Sequence, residues 1–103
     1  RGLLCSNCNF GLGKFNDNIT YVTNAINYLN RQSTNIKYKN TGRQPVIDQV
    51  CPITLSVDTV CDHSHKTGLV RGNIAEHINL ALGLFKDDIE NLNRAINYLR
   101  ANI

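Results

Sequence analysis

Apolar residues recur at helical intervals near both ends of the chain, and between those stretches β-branched residues replace the helical rhythm. Toward the C-terminus, Ile74, Ile78, Leu80 and Leu82 mark one short helix. Ile89, Leu92, Ile96 and Leu99 then share a face that leaves Asp88, Glu90, Arg94 and Arg100 for solvent. Leu3, Leu4 and Phe10 play the first part at the N-terminal end. Gly13 and Gly83 are expected to close the two short helices, and Asp17 and Asp87 to cap the helices that follow. Tyr28 and Tyr98 are expected to join the same apolar faces with their hydroxyls near the rim.

The middle of the chain reads differently. Residues 32–45 are polar and basic, contain Thr41-Gly42 and end at Pro45, which predicts a linker. Val46 to Val50 and Leu55 to Cys61 are rich in β-branched residues and predict two short strands. Lys66-Thr67-Gly68 then turns into a strand at Leu69-Val70-Arg71. The expected fold class is therefore α+β: a small ββα finger with flanking helices, mostly helical overall. Its expected divisions are a partial repeat over 1–31, the linker over 32–45, and the finger with a C-terminal helix over 46–103.

The two helical stretches are related to each other. Arg1-Gly2 through Leu29 superposes on Arg71-Gly72 through Leu99 with about 13 of the first 31 positions identical, too many for chance in so short a span. Shared landmarks are Asn9/Asn79, Leu12-Gly13/Leu82-Gly83, Phe15/Phe85, Asp17/Asp87 and the Ala-Ile-Asn-Tyr-Leu string. Only the second repeat follows a complete strand, turn and strand.

Composition adds limits rather than direction. The chain has 103 residues and 42% hydrophobic content, enough for one thin core that a metal or a second subunit would reinforce. A formal charge of +3 permits nucleic-acid binding without requiring it. Its distribution is more telling: Arg31, Lys37, Lys39 and Arg43 fall between Asp17 and Asp48 with no acidic residue among them. No apolar run is long enough to span a membrane, and a cytoplasmic protein is expected. Arg1 falls inside a repeated motif, which suggests a fragment or a processed chain.

The richest chemistry lies in Asp62-His63-Ser64-His65-Lys66-Thr67-Gly68-Leu69-Val70-Arg71-Gly72, followed by Asn79. Hydrolysis of a phosphodiester needs a deprotonated water and positive charge at the phosphoryl group. A histidine titrates near neutral pH, so His63 is the candidate general base. Asp62 and Asn79 offer oxygens suited to Mg²⁺ or Mn²⁺. His65 is a candidate for phosphate contact, Arg71 for charge neutralisation, and Lys66 joins Arg31, Lys37, Lys39 and Arg43 as a candidate DNA contact.

These residues resemble the core of the recombination endonuclease VII family, a branch of the His-Me (HNH-like) finger nucleases. The resemblance covers about Cys51 to Leu99. It implies a DNA endonuclease with the same assignment of Asp62, His63, His65 and Asn79, acting on branched or double-stranded DNA, of junction-resolving or homing type. A phage or mobile-element origin is also implied, while the thin core suggests a homodimer and the duplication allows that dimer to be domain-swapped. The family's four-cysteine zinc site is incomplete: Thr54, Ala75 and Ile78 stand where three of the cysteines belong. Cys5-Ser6-Asn7-Cys8 has the spacing of a zinc half-site, and could join Cys51 and Cys61 in a Cys₄ set. The four could equally be free thiols in the core. A noncatalytic DNA-binding or structural protein that keeps the finger as a scaffold is the rival reading.

Overall fold

The computed structural model describes residues 5–31 and 33–101. Its elements are α1 (Ser6–Lys14), α2 (Ile19–Asn30), β1 (Val60–His63), β2 (Val70–Ile74), α3 (Glu76–Leu84) and α4 (Ile89–Ala101). This is the expected α+β class, mostly helical. The strands pair antiparallel from Val60↔Ile74 to His63↔Val70, with a register shift between Asp62 and His63.

The related stretches build matching helix pairs. Each turn between helices uses two consecutive residues at positive φ: Asn16 (56°) and Asp17 (53°), then Lys86 (58°) and Asp87 (54°). The expected Asp17 and Asp87 caps are therefore displaced by one residue. Asn18 Oδ1 accepts from Tyr21 N at the start of α2, and Asp88 Oδ1 accepts from Glu90 N at the start of α4. Gly13 and Gly83 lie inside helices rather than closing them; Phe15 and Phe85 are the C-terminal caps of α1 and α3.

α1 packs on α3 and α2 on α4. The Phe15 and Phe85 rings meet at 6.0 Å, tilted by 45°. α1 has weak intrinsic helix preference, with two glycines in nine residues. Tertiary contact compensates: Gly11 admits the edge of Phe85 where any Cβ would collide with the ring. Leu12, Val22 and Ala25 of the first repeat and Ile78, Leu82, Leu92 and Leu99 of the second belong to one buried cluster.

Two expectations about strands fail. Val46 to Val50 form no strand, and the first strand begins only at Val60. Val46 is 72% exposed and Val57 77% exposed, so this stretch lacks the half-buried surface that rewards β-branched residues in a sheet. The linker, in contrast, joins the sheet. Val70 N donates to Ile36 O at 2.7 Å, Tyr38 N to Gly68 O at 2.8 Å, and Lys37 bridges antiparallel to Leu69. The segment around 34–38 thus lies along the outer edge of β2.

Candidate active site at the hairpin

Side chains alternate across a strand, and on β1 Asp62 faces the protein interior, 2% exposed. Both of its carboxylate oxygens are engaged. Tyr28 Oη donates to Oδ2 at 2.8 Å, Arg71 Nε to Oδ2 at 2.7 Å, and Arg71 Nη2 to Oδ1 at 2.9 Å. Arg71 also reaches Asp87 Oδ2 at 3.3 Å. Burial opposes the charge on Arg71, but hydrogen bonding to Asp62 and the charges of Asp62 and Asp87 outweigh it, and the guanidinium pKa is raised. Burial, then the charge and hydrogen bond of Asp62, push the Tyr28 phenol pKa up. The hydroxyl of Tyr28, expected near the rim of the core, is buried in its hydrogen bond to Asp62. Arg71, expected to neutralise a substrate, is already neutralised by two carboxylates.

A second bidentate pair supports the base of the hairpin. Arg31 Nη1 and Nη2 donate to Asp48 at 3.0 and 2.6 Å, and Nη2 also donates to Arg71 O at 3.1 Å. The Arg31 guanidinium lies 4.6 Å from the centroid of the Tyr28 ring. Asp48 Oδ2 accepts from Asn73 N at 3.0 Å, while Asn73 Oδ1 accepts from Ile47 N and Asp48 N at 2.6 and 2.9 Å. Burial raises the Asp48 pKa, but the Arg31 hydrogen bond, the Asn73 N–H and the charge of Arg31 together leave it below the ordinary carboxylate value. Gly72 lies under this cluster, and a Cβ there would strike Arg31, Asp48 and the Tyr28 ring. Of the expected DNA contacts, Arg31 is thus committed to Asp48.

His63, on the strand face opposite Asp62, is half-buried. Its imidazole stacks on Tyr38, ring centroids 3.9 Å apart and 19° from parallel, and His65 lies 5.0 Å away at 48°. The turn that carries His65 is fixed by Ser64, whose hydroxyl accepts from Lys66 N at 3.2 Å and Thr67 N at 3.3 Å. Lys66, Lys37, Lys39 and Arg43 are exposed. The pairing of the linker with β2 brings Lys37 and Lys39 alongside the hairpin that carries Lys66.

Asn79 is half-buried on α3, and no hydrogen bond among the described residues joins its side chain to Asp62 or His63. Both Asp62 oxygens are held by Arg71 and Tyr28, so a divalent cation at Asp62 and Asn79 would share the carboxylate with those donors. No group of three or more His, Cys, Asp or Glu among the described residues stands ready to hold a metal.

The expected Cys₄ set is likewise not assembled. Cys5 is exposed and caps α1, its Sγ accepting from Cys8 N at 3.3 Å, whereas Cys51 is fully buried. Hydrogen bonding with Cys8 lowers the Cys5 pKa, while burial and then Cys5 push Cys8 up to about 11. Cys51 Sγ accepts from Ile53 N and Thr54 N, each at 3.4 Å, and Ala75 and Ile78 join the buried cluster with it. Burial raises the Cys51 pKa, but the hydrogen bonds from Thr54, Ala75 and Ile53 bring it below the ordinary value. Cys61 is half-buried, and burial followed by the charge of Asp62 raises its pKa.

An open cleft of about 910 Å³ meets the hairpin at Ser64–Thr67 and runs toward Lys86 and Asp88. His65, Lys66 and Arg71 line it; His63 and Tyr38 lie outside its lining. The cleft is therefore next to the candidate base rather than around it. Sequence reasoning missed Tyr38, Tyr28, Asp48 and Asn73. The alternation Thr34, Ile36, Tyr38 was a legible strand signal for the first; nothing in the sequence indicated that Tyr28 would reach Asp62.

A family model for recombination endonuclease VII matches residues 1–31 and 34–101. The chain belongs to the recombination endonuclease VII family. "Gene 59 protein" of Mycobacterium phage D29 is 55% identical to it over 40 residues, which are 38% of this chain and 24% of that protein. The chain thus matches about a quarter of that relative's length. No solved structure matches. Among the described residues, no helix is long and apolar enough to cross a membrane.

Proposed function

We propose that this endonuclease VII family chain hydrolyses DNA phosphodiesters, with His63 as general base. The observation that carries the reading is the imidazole itself: half-buried, held in a defined orientation by Tyr38, and 5.0 Å from the ring of His65. His63 takes a proton from water, and the hydroxide oxygen bonds to phosphorus. The bond to the leaving sugar oxygen breaks, and that oxygen takes a proton from solvent. Lys66 and His65 are placed to offset charge on the phosphoryl oxygens. Mg²⁺ or Mn²⁺ held by Asp62 and Asn79 would supply further charge neutralisation, sharing the Asp62 carboxylate with Arg71 and Tyr28. Branched or double-stranded DNA in the host-cell cytoplasm, with a homodimer as the acting unit, completes this reading.

The rival, a DNA-binding scaffold without catalysis, draws support from one specific observation: Arg71 and Tyr28 close off Asp62. Cleavage of supercoiled plasmid and branched DNA, in Mg²⁺ and in Mn²⁺, separates the two readings when His63→Ala runs beside the unmodified chain. Cleavage that disappears in His63→Ala supports the nuclease. DNA binding with no cleavage by either protein supports the scaffold.

A further inference from the structure

We infer that Tyr38 is a positioning residue for His63, supplied to the site by the linker; the inference rests on the proposed role of His63 as the base. Tyr38 is not at an arbitrary place in a loop. Its N–H donates to Gly68 O at 2.8 Å, Ile36 O accepts from Val70 N at 2.7 Å, and Thr34 Oγ1 donates to Val70 O at 2.7 Å. These bonds set the register of the segment against β2, with Lys37 opposite Leu69, and the register decides where the Tyr38 ring falls.

The ring falls on the face of the His63 imidazole, 3.9 Å between centroids and 19° from parallel. Both imidazole nitrogens lie in the plane of their ring, so a stack on the face restrains rotation while leaving the nitrogens available at the edge. The phenol hydroxyl has no part in that restraint. Proton abstraction is sensitive to small errors in geometry, so losing the stack should be felt in turnover rather than in substrate binding.

The test uses the full chain and the variants Tyr38→Leu, Tyr38→Phe and His63→Ala. Loss of the ring in Tyr38→Leu is expected to lower kcat roughly ten- to a hundredfold with little change in KM, while Tyr38→Phe keeps most of the activity. In parallel, NMR of the His63 ring protons should show an upfield ring-current shift that Tyr38→Phe retains and Tyr38→Leu loses. Equal kcat in Tyr38→Leu and the unmodified chain, with His63→Ala inactive, would overturn the inference and leave the base in place. Cleavage that survives in His63→Ala would instead overturn the reading of His63. A His63 ring shift unchanged in Tyr38→Leu would remove the stack itself, whatever the activity.

Discussion

Single residues at the hairpin show how closely the fold and the candidate site are joined. Gly72 has Arg31, Asp48 and the Tyr28 ring against its α-carbon, so Gly72→Ala must push apart two ion-paired side chains and a buried aromatic. A loss of about 1–3 kcal/mol is expected from overpacking, read as a lower midpoint in urea with an unchanged slope. Asp48 makes a pH prediction whose sign follows from its lowered pKa. A carboxylate with a folded pKa below its unfolded value stabilises the fold at pH above about 4, and that contribution is lost as pH falls through the folded value. Asp48→Asn should cost about 1–3 kcal/mol at neutral pH. The gap from the unmodified chain should narrow in acid; a gap that held constant down to pH 2 would show that Asp48 contributes nothing through its charge. Asp48, Asn73 and Tyr28 were invisible in the sequence because their partners are distant along the chain. His63 and His65 stand together in one short motif and could be read as a pair, whereas the Tyr38 ring that stacks on His63 comes from the linker.

At the scale of elements, the helical pattern was legible and its punctuation was not. The periodicity of Ile89, Leu92, Ile96 and Leu99 located α4, with Leu92, Ile96 and Leu99 buried. The caps shifted by one residue because Asp17 and Asp87 take the left-handed conformation inside the turns, which hands capping to Asn18 and Asp88. β-branched content overstated the strands, since Val46 and Val57 face solvent. The turn at Cys51 keeps its N–H···S hydrogen bonds while Ala75 and Ile78 fill the space beside it with apolar packing. With apolar side chains at those positions, chelation by EDTA should leave the melting temperature unchanged. A fall of several degrees on chelation, restored by Zn²⁺, would show that cysteines gather around a metal after all.

The whole molecule has one core to which both repeats contribute, and that unity limits how it can be divided. Phe15 packs on Phe85, Tyr28 holds Asp62, and Arg31 holds Asp48 and the backbone at Arg71. A chain reduced to residues 46–103 would expose the faces of α3 and α4 that α1 and α2 cover. It should lack a cooperative thermal transition by circular dichroism and bind an apolar dye; a sharp transition would show that the second repeat folds unaided. The segment at 34–38 has one more effect at this scale. A two-stranded sheet with a bare outer edge offers unpaired N–H and C=O groups to any extended chain that drifts near, which is how strands recruit one another into aggregates. With Ile36 and Tyr38 already bonded to Val70 and Gly68, that edge of the hairpin is closed to strangers.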